Sequence, residues 1–85
     1  MIELPNLKSG VIMMTDTTIK FIISRVIENA QDANEEAQAN KGDVFYSGRK
    51  LAYYEILDTI KNELEARDQD LKEFGLDIDL EQAYL

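Results

Sequence analysis

VFYSGRKLAYYEILDTIKNELEAR, residues 44–67, decides how this chain is read. It holds three of the four tyrosines and the longest apolar stripe at helical spacing. Tyr46, Lys50, Tyr53, Leu57, Ile60 and Leu64 recur in steps of four and three. That alternation is a helical seam rather than a strand pattern, because side chains three and four apart share one helix face.

Upstream, Lys41-Gly42-Asp43 punctuates the chain. Lysine suits the negative end of a preceding helix, glycine suits its left-handed cap, and Asp43 suits the N-cap of the next helix. Before it, Ile19, Ile23, Val26, Ala30, Ala33 and Ala37 form a second seam with steps of 4, 3, 4, 3 and 4. Thr15 or Asp16 is the expected N-cap. The spacing predicts a first helix over about 16–40 and a second over about 43–74, with a start after Gly48 as the alternative. A connection this short makes the two helices antiparallel neighbours.

In an antiparallel hairpin the numbers of facing residues add to a constant, here about 83. Ala37 then faces Tyr46, Ala30 faces Tyr53, Val26 faces Leu57, Ile23 faces Ile60 and Ile19 faces Leu64. Alanines oppose tyrosines near the turn and aliphatics oppose aliphatics at the open end, so large against small fills the space. Arg49 and Lys50 fall across from Asp32, Glu35 and Glu36. Gly48 and Ala52 make a flat patch that admits close approach; a glycine in a helix costs roughly 1 kcal/mol against alanine, which calls for a packing reason. Gly75 stops the second helix, and Leu76 is placed to touch its last turn. The final segment, 76–85, is too apolar for a free tail and is expected to fold back on the open end of the hairpin or onto a second subunit.

Phe45, Leu51, Tyr54, Ile56, Ile22 and Ile27 lie beside the seam rather than in it. They are the candidate interface. The expected fold is all-α: an antiparallel two-helix hairpin with a short C-terminal helical segment, pairing as a homodimer into a four-helix bundle. Residues 1–14, with the one proline, are an N-terminal arm or extension, and 15–85 form a single domain.

Composition narrows the chemistry. Eighty-five residues without cysteine or histidine have no disulfides and lack the commonest metal ligand and neutral-pH base. Oligomerisation is the stabilising device that remains. Nothing activates Ser24 or Ser47 as a nucleophile, so no enzyme, catalytic residue, cofactor or metal is expected. Net charge is −8, with −6 of it between Glu63 and Glu81. Such a balance repels nucleic acid. It also offers a second functional reading: an acidic inhibitor, antitoxin-like or a nucleic-acid mimic, held by a basic protein partner. Ser47-Gly48-Arg49-Lys50 lacks the rest of a phosphate-loop pattern. Glu28, Asp32, Glu35 and Glu36 read as a solvated acidic face. Asp68-x-Asp70 and Asp77-x-Asp79-x-Glu81 lack the remaining ligands of a calcium loop. No apolar run reaches the roughly 18–20 residues that span a bilayer, so no membrane is expected and the location is cytoplasmic.

Gly48 to Asn62, GRKLAYYEILDTIKN, resembles small uncharacterised proteins of phages and mobile elements in low-GC bacteria that carry a GR-x-LAYYE-x-LD-x-IKN type helix. The resemblance covers roughly a fifth of the chain. It implies a bacterial or prophage protein and carries over no catalytic residues. On the residues themselves, the leading function is a small protein–protein interaction or adaptor module.

Overall fold

Thr15 opens the first helix. Its hydroxyl accepts a hydrogen bond from the Thr18 N–H at 3.1 Å, satisfying a donor that the first turn leaves free. In a computed structural model, which describes residues 15–85, α1 runs Asp16–Ala39 and α2 runs Val44–Ala66. The arm expected at 1–14 lies outside the described residues. Helix α1 ends as Asn40 turns out of helical geometry and its side-chain amide donates to the Glu36 carbonyl at 2.8 Å. Gly42 then takes φ +90°, a conformation that a side chain would strain. Asp43 accepts from the Phe45 N–H at 3.0 Å and starts α2 there, not after Gly48. The Arg49–Glu36 ion pair joins the two helices within about half a turn of the expected register.

Residue spacing predicts that the second helix continues to Phe74; the structure ends it at Ala66. The Asp68 N–H bonds the Glu65 carbonyl at 3.0 Å and the Gln69 N–H bonds the Leu64 carbonyl at 2.9 Å. Together these form a Schellman closure, with Asp68 in the left-handed region at φ 57°. The break has a tertiary reason. In the hairpin register α1 begins opposite residue 67, so a longer α2 would carry Leu71 and Phe74 past the end of its partner and into water. Instead the chain turns, forms a 3₁₀ turn at Leu71–Phe74, closes it at Gly75 (φ 75°), and ends in the short helix α3, Leu80–Tyr84.

This C-terminal segment supplies half the core. Of the eight buried apolar residues among those described, Ile23, Ala30, Ala33 and Leu57 belong to the hairpin, and Phe74, Leu76, Leu80 and Tyr84 lie beyond residue 70. Leu76, Leu80 and Tyr84 are four apart and enter one groove between α1 and α2, around Leu57. The 3₁₀ turn packs on both long helices and α3 packs on α2. At the turn end of the hairpin, Tyr84 and Leu85 border a groove shared with Ala37, Ser47 and Leu51. The segment therefore crosses the whole hairpin back to its turn, rather than covering only the open end. The result is an all-helical slab with a radius of gyration of 15.6 Å and extents of 49 × 27 × 19 Å. A compact domain of this length has a radius of about 12 Å.

Candidate interaction surface

The two sides of the hairpin groove have different fates, and the helical wheel shows which residues fall on each. At about 100° per residue, Tyr54 and Lys61 stand to one side of the buried Leu57, while Arg49, Tyr53, Ile56 and Ile60 stand to the other. The C-terminal segment covers the first side. Lys61 donates its ammonium to the Ile78 carbonyl at 2.6 Å. Lys20 pairs with Glu73 at 3.2 Å and lies 5.6 Å from the centre of the Phe74 ring, tying α1 to the 3₁₀ turn. Ile27 packs beneath Gly75: a side-chain carbon on that glycine would sit 3.5 Å from the Ile27 Cδ1. Tyr54 is half-buried. Burial, followed by the carboxylates of Asp58, Glu81, Asp79 and Glu55, raises its phenol above the ordinary tyrosine value. Burial alone raises Tyr84 in the same direction.

The other side has no cover among the described residues. Ile22 on α1 is 45% exposed; on α2, Phe45 is 65% and Ile56 45% exposed. Phe45, Gly48, Ala52 and Ile56 follow one stripe of α2 at helical steps. Among the described residues nothing lies within 4 Å of where a side chain on Gly48 would be, so the close approach expected there is not made by them. Arg49 is half-buried between Glu36 and the Tyr53 ring, whose centroid is 5.5 Å away. Phe45 rests edge-on against Tyr46, with centroids 5.1 Å apart.

The six candidate interface residues thus occupy three places. Ile22, Phe45 and Ile56 share the uncovered flank. Ile27 and Tyr54 pack against the core on the side of the C-terminal segment. Leu51 lies at the turn end, in the groove bordered by Tyr84 and Leu85. Phe21 (64% exposed), Val44 (85%) and Leu85 (64%) add apolar surface that periodicity did not single out, because they fall off both seams.

A second groove, of about 580 Å³, separates α2 from the loop before α3. Asp58, Glu65, Asp77, Asp79 and Glu81 line it around Lys61 and Asn62. Two carboxylates of the acidic C-terminal stretch have local structural work: Asp70 accepts from the Lys72 N–H and Asp79 from the Gln82 N–H, each at 3.1 Å, as helix N-caps. Arg49 and its neighbours lie within α2 and form no phosphate-cradling loop. No helix among the described residues is long and apolar enough to cross a membrane. No family model, curated protein or solved structure matches this chain.

Proposed function

We propose that this chain is a small protein–protein interaction module that works as a pair, with the flank of Ile22, Phe45 and Ile56 seated on a second copy. The carrying observation is that this flank stays exposed after the chain has spent its entire C-terminal segment on the opposite side. Three further features favour a second copy as the occupant. The flank continues the hairpin's own seam, as the fourth-helix side of a bundle does. The slab's radius of gyration is large for its length, leaving surface that pairing would remove. Gly48 on α2 admits close approach of another helix, and nothing among the described residues fills the space beside it. Light scattering across a concentration series tests this: a dimer is expected, and Ile56→Asp should weaken the pairing without unfolding the chain. A wild-type monomer at all concentrations overturns the reading.

A second reading, an acidic inhibitor of a basic partner, is supported by the groove in which five carboxylates surround Lys61. The two readings diverge with salt. Affinity for a basic partner should fall steeply with ionic strength, whereas an apolar helix interface should barely respond.

A further inference from the structure

Asp68 is the one non-glycine residue with positive φ among the described residues, at 57°. It forms the joint between α2 and the C-terminal segment. An L side chain is disfavoured in that region, although aspartate tolerates it better than most. The surrounding stretch, Leu64–Phe74 (LEARDQDLKEF), contains no glycine or proline and is rich in good helix formers. Locally, then, a straight continuation of α2 is the more favourable backbone. What holds the joint bent is the burial beyond it of Phe74, Leu76, Leu80 and Tyr84. That burial does not require the groove to belong to the same chain. A second copy offers the same Ile23, Ala30 and Leu57, the same Lys20 for Glu73 and the same Lys61 for the Ile78 carbonyl. The joint itself is unobstructed, since residues 65–70 are all exposed.

We propose that residues 71–85 exchange between two copies of this chain, with α2 straightening through Arg67–Asp70 and each C-terminal segment filling the Leu57 groove of the other copy. Exchange keeps every apolar contact, removes the left-handed aspartate and adds helical hydrogen bonds across the joint. The inference rests on the reading of the chain as a self-associating module and names the element that is shared.

The Lys20–Glu73 contact provides the test, because the chain has no cysteine of its own. The double variant Lys20→Cys with Glu73→Cys is treated with a short bis-maleimide and run under denaturing conditions. This is repeated with Asp68→Ala, which penalises the bend, and with Asp68→Gly, which relieves it. The Asp68→Ala protein should crosslink between chains, in a fraction that rises with concentration, and the Asp68→Gly protein within its own chain. Each joint should shift by about 5-fold or more, so the dimer equilibrium, with two joints, should differ by roughly 25-fold or more between the two. Mixing the separate Lys20→Cys and Glu73→Cys chains should give a mixed crosslinked dimer. Crosslinking within one chain at every concentration in the Asp68→Ala protein overturns the exchange. If that protein is still a dimer by light scattering, the pairing reading stands and exchange alone has failed. If it is a monomer, both have failed.

Discussion

The two flanks of the hairpin start from similar side chains and end differently. On one, Ile27 and Tyr54 are half-buried beneath a C-terminal segment that brings Phe74, Leu76, Leu80 and Tyr84 with it. On the other, Ile22 and Ile56 are each 45% exposed and Phe45 is 65% exposed. Apolarity alone therefore does not say which side of a helix pair is core. What decides is whether a further element reaches that side, and among the described residues one such element serves two sides.

The largest expected effect separates the flanks most sharply. Leu76 is wholly buried, so Leu76→Ala should destabilise the fold by about 2–5 kcal/mol in urea unfolding. Ile56→Ala, measured where the chain is monomeric, should cost well under that, because half of its area is already in water. Equal losses at the two positions would mean that the uncovered flank is core after all. Next in size is the hairpin seam beneath both flanks. Ala30 is fully buried, and Ala30→Leu should overpack it at a cost of about 1–3 kcal/mol. Unchanged stability there would dismiss the large-against-small register.

Gly48→Ala should reveal what the open flank is for. The site is helical, exposed and without neighbours within 4 Å, so alanine should stabilise the isolated chain by about 1 kcal/mol. If a second helix approaches there, the same substitution should weaken pairing, a sign reversal visible by comparing dilute with concentrated protein. The smallest effect belongs to the covered side and appears only in alkali. Tyr84 has a raised folded-state pKa, so the folded form holds the phenolic proton more tightly than the unfolded chain does. Its contribution is fully present below the ordinary tyrosine value of about 10 and is lost as pH rises through the folded value. Tyr84→Phe should remove part of the alkaline fall in stability, and chemical denaturation between about pH 9 and pH 11 would detect it.

Much of this is legible in the residues before any coordinates. The seams, the cap at Thr15 or Asp16, the cap at Asp43 and the left-handed Gly42 follow from local chemistry and depend on neighbours within four or five positions, whereas Gly75 closes the 3₁₀ turn and not the second helix it is expected to stop. The end of α2 does not follow from local chemistry. Leu64 to Phe74 reads as continuous helix because nothing in it forbids one. The sorting of Phe45, Leu51, Tyr54, Ile56, Ile22 and Ile27 into three places was equally invisible, since all six lie beside a seam and periodicity cannot tell which side will be covered.

Local chemistry sets that two helices form on either side of Lys41-Gly42-Asp43 and run antiparallel, while it leaves open whether the second begins at Asp43 or after Gly48. Backbone capping and side-chain periodicity are local properties, and a short loop leaves two helices little choice of direction. Tertiary packing settles the rest: α2 ends at Ala66, the chain turns at Asp68, and residues 71–85 cross one face to supply half of the buried apolar side chains among the described residues. The reason is the finite length of α1: once α2 has no partner to lie against, the burial of Phe74, Leu76, Leu80 and Tyr84 outweighs the cost of one left-handed aspartate.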